Sequence, residues 1–278
     1  MVQSANRLPR ELFDNFGMAI FDECHHMSAS TFYDIAIKTK TEYLLGLTAT
    51  PWREDKKELM LEAGAGPIIS HITISDLIRN NYLAKPHIHA IKVPPIMFSK
   101  RAHYQEVYNK GITFNVDRND AIALKAVDLS NYGPVYIHVK RIEHGTILTN
   151  IINRKLSGRG STDAIFIHGK DKSSHRTEVL QKFRDGDLPI LVSTLLGEGV
   201  DLPNMYGLIL ASGGLSKTFV IQVMGRLLRI SEKDIVEFYD IADQCKYLYD
   251  HFIERVSYYQ KEPEFVLEEY LKNLVVPE

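Results

Sequence analysis

Residues 17–23 read Gly-Met-Ala-Ile-Phe-Asp-Glu, a short apolar run that stops on two carboxylates and is followed by Cys24-His25-His26. A run of this length between a glycine and acids reads as a buried strand with a polar tip. The same pattern recurs along the chain: EYLLGLTAT (42–50), HIHAIKVP (87–94), PVYIHVK (134–140), DAIFIHG (163–169), LPILVST (188–194), YGLILASG (206–213) and DIVEFYD (234–240). Between these runs the apolar residues change to helical spacing, as in Ile147, Ile151 and Ile152, or Val179, Leu180 and Phe183. Short apolar strands alternating with amphipathic helices predict an α/β protein built on parallel sheets.

At 278 residues the chain exceeds one ordinary core, so two units are expected. Proline interrupts both periodicities at Lys85-Pro86 and again at Val93-Pro94-Pro95. The boundary is therefore expected near residues 86–95, giving units 1–88 and 89–278. The last ~35 residues, broken by Pro263, read as a terminal helical element packed on the second sheet. Composition is 45% hydrophobic and 24% charged, without a low-complexity tract. A formal charge of −2 gives no global basic field, so any nucleic-acid binding must come from a local groove. The only cysteines, Cys24 and Cys245, lie far apart, which indicates neither a disulfide framework nor a zinc knuckle and fits a reducing cytoplasmic or nucleoid setting. No run of ~20 apolar residues and no signal pattern appears, so no membrane partner is expected.

The chemistry concentrates at the strand tips, where open α/β sheets place ligands. Asp22 can hold Mg²⁺ through its waters, and Glu23 can orient or deprotonate an attacking water. The plain alternative is an acidic helix cap after a strand. Consecutive Asp22, Cys24, His25 and His26 cannot easily converge on one tetrahedral ion, which disfavours zinc. Residues 46–53, GLTATPWR, and 192–203, VSTLLGEGVDLP, are tips of small, hydroxyl and glycine residues. In 222–229, QVMGRLLR, helical spacing puts Gln222, Gly225, Arg226 and Arg229 on one face. A glycine beside two arginines suits close approach to a phosphate.

The order DECHH, GLTATPWRED, IFIHG with HRTEVLQKFRDGDLPILVSTLLGEGVDLPN, then QVMGRLLR resembles motifs II, III, IV–V and VI of superfamily 2 helicases and translocases. The flanking SDLIRNNYLAKPHI and RNDAIALKAVDLSNYGPVYIHVKRIEHGTILTNII resemble the branch containing XPB and the phage repair helicase UvsW. That resemblance implies two RecA-like domains, an ATP and Mg²⁺ cofactor pair, a nucleic-acid partner (DNA by analogy), and work in DNA repair and recombination. It implies that Asp22 holds Mg²⁺, Glu23 activates the hydrolytic water and His25 couples to Gln222. Arg226 and Arg229 would reach the ATP phosphates, and Gly199 and Asp201 the nucleotide. Thr48 and Thr50 would link hydrolysis to movement. Lys140, Arg141, Gly169, Lys170 and Thr194 would grip one strand.

The sequence departs from this family in one respect. No G-x-x-x-x-G-K-[ST] phosphate cradle is present. The nearest text, Gly213-Gly214-Leu215-Ser216-Lys217-Thr218, has Ala211 and Ser216 at both glycine positions. Only 21 residues precede Asp22, and Val2-Gln3-Ser4 looks like the end of a T-x-Q-S nucleic-acid motif. The first domain is therefore expected to be incomplete, with a separate polypeptide or upstream sequence supplying the P-loop. The alternative is a non-catalytic remnant that binds nucleic acid or protein. The resemblance further implies a P-loop strand between the strands ending at Asp22 and near Thr48, so both should lack a neighbour and residues 1 to about 85 should be loosely ordered.

Overall fold

A computed structural model describes residues 2–13, 15–28, 30–48, 58–157, 164–195, 202, 205–214, 220, 224, 228 and 235–275. The chain separates into two units, Met1–Ile72 and Thr73–Glu278. This division lies before the expected 88/89 boundary. The reason is that the helix Ile74–Arg79 and the strand β3 (Lys85–Lys92) both pack within the second unit. The proline at position 86 sits in that strand without ending it.

The first unit holds a two-stranded parallel sheet, β1 (Met18–Phe21) and β2 (Tyr43–Gly46), with the helix Ser30–Lys38 between them in sequence. The expected intervening strand is contradicted: β1 and β2 pair directly, Met18 with Tyr43 through Phe21 with Gly46. Each strand thus satisfies its neighbour's backbone groups along one side. Phe21, Cys24, Met27, Ala36, Leu61 and Ala65 pack on one face. The other face leaves Met18 (50% exposed), Ile20 (59%) and Tyr43 (56%) open, which is unusual for a parallel sheet.

Among the described residues the second unit carries seven strands in the order β5-β6-β4-β7-β8-β3-β9, every neighbouring pair parallel. They are β3, β4 (Val135–His138), β5 (Ile165–Ile167), β6 (Ile190–Ser193), β7 (Gly207–Leu210), β8 (Ile235–Ala242) and β9 (Val266–Leu267). Alternate side chains divide between two cores, as the period of two requires. Val135 and Ile137 face the helices Val116–Leu129 and Ile142–Ser157, whereas Tyr136 lies in the core with Val179, Phe183, Phe252 and Val256. The terminal element is more than helical: after the helix Leu248–Lys261 the chain adds β9 beside β3, then a short helix, Glu269–Lys272.

Two buried ion pairs tie the strand ends together. Arg118 donates to both oxygens of Asp243 (2.7 and 3.1 Å) and to the Ala211 carbonyl (3.0 Å). Arg255 donates to both oxygens of Asp240 (2.7 and 2.9 Å) and to the Gly214 carbonyl (2.5 Å), while Tyr259 O–H donates to the same carboxylate at 2.9 Å. With the Tyr108 hydroxyl donating to Ser212 O at 2.6 Å, three side chains hold the turn after β7.

His138 and His144 are buried, and burial pushes both imidazoles down to about 3; the charges of Arg118 and Arg141 add to this at His144. The unfolded chain takes up protons on these residues near ~6.5 while the native state refuses them. Their contribution to stability is therefore complete above about pH 6.5 and is lost as pH falls toward 3. The urea midpoint is expected to fall steadily from pH 7 to pH 4, and a midpoint that is flat over that range would show that neither imidazole is held neutral.

Candidate functional site

In the first unit the site is built at the end of β1. Leu47 N–H donates to Phe21 O (2.8 Å) and Cys24 N–H donates to Leu47 O (2.9 Å), so the chain leaving β2 brackets the acidic turn. Asp22 Oδ1 accepts from Glu23 N–H at 2.8 Å, which fixes that carboxylate at an exposed position. Glu23 has φ +50°, a left-handed conformation sparsely populated by residues other than glycine and a recurring feature of functional turns. His25 Nδ1 lies 3.1 Å from Thr48 Oγ1 and 3.3 Å from Glu23 Oε2, joining Glu23, His25 and Thr48 in one cluster. The His26 ring lies tilted against that of His25, with 4.1 Å between their centres.

Below the turn Cys24 is 3% exposed, and burial pushes its thiol up, with the Glu23 and Asp22 charges adding to the effect. It is a packing group. A Cβ at Gly46 would fall 2.9 Å from Cys24 Sγ and 2.8 Å from Ala65 Cβ, so only glycine lets β2 come this close to the turn. The exposed Asp22 carboxylate at a strand end suits a water-mediated Mg²⁺ contact. Thr50 lies outside the described residues.

In the second unit all strands are parallel, so their carboxyl ends share one edge. β5, β6 and β4 are neighbours, with Ile167 and His138 both paired to Ser193. Thr194 N–H donates to Ile167 O (3.3 Å) and Val139 N–H to Ser193 O (2.9 Å). The chain beyond these strands therefore brings Gly169 and Lys170, Thr194, and Lys140 and Arg141 to adjacent tips. Asp171 closes the turn at Lys170 by accepting from His168 N–H at 2.7 Å. Lys140 and Lys170 are exposed. Arg141 is arranged differently: its guanidinium lies 4.3 Å from the centre of the Tyr108 ring and donates to Gln105 (2.5 Å) and Asn109. Its head is held against the helix Tyr104–Tyr108 and the residue after it, an engagement the sequence did not signal. Gly199, Asp201, Gln222, Arg226 and Arg229 lie outside the described residues.

Residues 120–231 match the helicase conserved C-terminal domain family, and residues 1–53 match part of the family described as type III restriction enzyme, res subunit. The chain is related to the superfamily 2 helicases. It is 29% identical over 238 residues to a protein of Sulfolobus islandicus filamentous virus named helicase 22, covering 80% of this chain and 42% of that one. It is 26% identical over 271 residues to the DNA 3'-5' translocase XPB2 of Sulfurisphaera tokodaii, covering 83% and 60%. The crystal structure of T4 UvsW shares the fold with a TM-score of 0.52 at 22% identity, over 96% of this chain and 56% of that one. The chain thus spans about half the length of these relatives. Its two sheets are consistent with one partial and one complete RecA-like domain.

Proposed function

We propose that this chain is the motif II to motif VI part of an ATP-driven translocase or helicase acting on nucleic acid, DNA by analogy with XPB2, and that it hydrolyses ATP when a P-loop segment is supplied. The observation that carries this reading is the Glu23–His25–Thr48 cluster: a carboxylate at a strained strand tip, in contact with an imidazole that also touches the candidate coupling hydroxyl. Bound Mg²⁺ supplies charge neutralisation on the ATP phosphates. Asp22 would hold it through waters, and Glu23 orients the attacking water and takes its proton. His25 passes the state of that site to Thr48. The test is ATP hydrolysis by the chain mixed with, or fused to, a segment carrying G-x-x-x-x-G-K-[ST], with and without single-stranded DNA. Hydrolysis that rises with DNA supports the reading; binding of DNA with no hydrolysis under any such complementation would sink it in favour of a binding remnant.

The strand-gripping part of the proposal has its own test. If Lys140 neutralises one phosphate, Lys140→Ala is expected to weaken binding across all sequences alike and to reduce the slope of log affinity against log salt by about 1. An unchanged slope would remove Lys140 from the contact.

A further inference from the structure

A hollow of about 540 Å³ opens at the carboxyl ends of β3 and β8, lined among others by Pro95, Gln244, Tyr247, Tyr249, Asp250 and Tyr270. β3 and β8 pair in register as far as Lys92 and Ala242, so the chain segments leaving them begin side by side. The segment after β3 has no regular structure, yet it is firmly anchored. Ile96 N–H donates to Gln244 O (3.2 Å), Lys246 Nζ to the carbonyls of Lys100 (2.7 Å) and Ala102 (3.0 Å), and Tyr247 O–H to Ala102 O (3.4 Å). Tyr247 is held at φ +64°, a conformation that a bulky residue keeps only when its surroundings impose it. Cations lie on two of the rings: Lys92 Nζ is 4.0 Å from the centre of Tyr270, and Lys246 Nζ is 4.5 Å from that of Tyr247.

Of the three tyrosines around the hollow, Tyr247 and Tyr270 pack on one side against the cores, and Tyr249 does not. Tyr249 is 42% exposed, and Gln244 and Asp250 are exposed at the same rim. Aromatic walls with an amide and a carboxylate at the edge suit a flat ring with polar edges. Exposed Lys100 and Arg101 on the anchored segment add positive charge for a phosphate-linked ligand. We propose that this hollow seats a nucleobase of a single strand, with Tyr249 stacking on it and Gln244 and Asp250 facing its edge; this rests on the nucleic-acid reading above. A carboxylate at the edge accepts from an exocyclic amino group, so cytosine and adenine are favoured over thymine.

The sheet order sets how long the strand must be. From β6, which carries Thr194, to β8 the strands run β6-β4-β7-β8, roughly 15 Å at about 4.8 Å per step. A very short oligonucleotide cannot occupy both the Lys140–Lys170 tips and the hollow. The test is equilibrium binding of the full chain to oligo-dC of 2 and 20 nucleotides and to oligo-dT of 20, comparing wild type with Tyr249→Ala and Tyr249→Phe. Tyr249→Ala is expected to weaken the long oligo-dC about 5- to 100-fold, the range of one lost base stack, while leaving the dinucleotide unchanged. Tyr249→Phe is expected to retain wild-type affinity, and wild type to prefer oligo-dC to oligo-dT. Long-strand binding that Tyr249→Ala leaves intact, or an equal loss on both lengths, overturns the hollow while leaving the nucleic-acid reading standing. A wild type that binds neither length overturns both.

Discussion

Arg226→Ala and Arg229→Ala are each expected to lower DNA-stimulated ATP turnover by at least ~10²-fold, and by as much as ~10⁵-fold if either side chain acts as a full arginine finger. The assay is the chain complemented with a P-loop segment. The size of the effect follows from the chemistry of phosphoryl transfer: charge on the transferring phosphoryl must be met by fixed cations, and guanidinium is the matched donor. The melting temperature should change little, because side chains that reach for a bound nucleotide are not spent on packing; among the described residues the buried arginines are Arg118 and Arg255, each paired to its own carboxylate. Those two hold the turn at 211–214 from which the chain runs on toward Gln222 in sequence. If Arg226→Ala and Arg229→Ala both melt the unit instead, their shared face is structural, and the assignment of phosphate-reaching residues falls.

Much of this architecture was legible because burial writes itself into sequence. All the runs that stop on polar tips, from 17–23 to 234–240, contain strands, and the reason is clearest in β4, β6 and β7, which are buried along their whole length and so are apolar almost throughout. Ile147, Ile151 and Ile152, and Val179, Leu180 and Phe183, lie on helices for the complementary reason: their spacing places them on one face. What escaped was whatever depends on partners far away in the chain. Pairing order is one such feature, and the direct contact of β1 with β2 follows from no local pattern. Arg118 with Asp243 is another, because a charged residue in an amphipathic helix reads as solvated until its acceptor, 125 residues away, is seen beside it. β9 is only Val266–Leu267, too short to show a period. At the candidate site, Asp22, Glu23, His25 and Thr48 were legible as residue types at strand tips. The left-handed turn at Glu23 and the tethering of Arg141 to Gln105 were not, since neither leaves a compositional trace.

Glu23→Gln is expected to reduce ATP turnover of the complemented chain by about 10²–10⁴-fold, the usual contribution of a positioned general base, while leaving ATP affinity within a few-fold of wild type. Glutamine preserves the size of the side chain and can keep the contact with His25, now 3.3 Å from the carboxylate, so the turn and its link to Thr48 have no reason to rearrange. What it cannot do is accept the proton released as water attacks the terminal phosphate. Loss in turnover without loss in binding is the pattern of an interaction made in the transition state alone. His25→Ala separates this from mere architecture: it removes the bridge to Thr48 but leaves the base, so hydrolysis should fall less than in Glu23→Gln, and its stimulation by DNA should fall more. Measuring turnover with and without single-stranded DNA, and ATP affinity by equilibrium titration, gives all three quantities. Wild-type turnover by Glu23→Gln would take Glu23 out of the mechanism, and a parallel loss of ATP affinity would show that the acidic turn serves binding in place of catalysis.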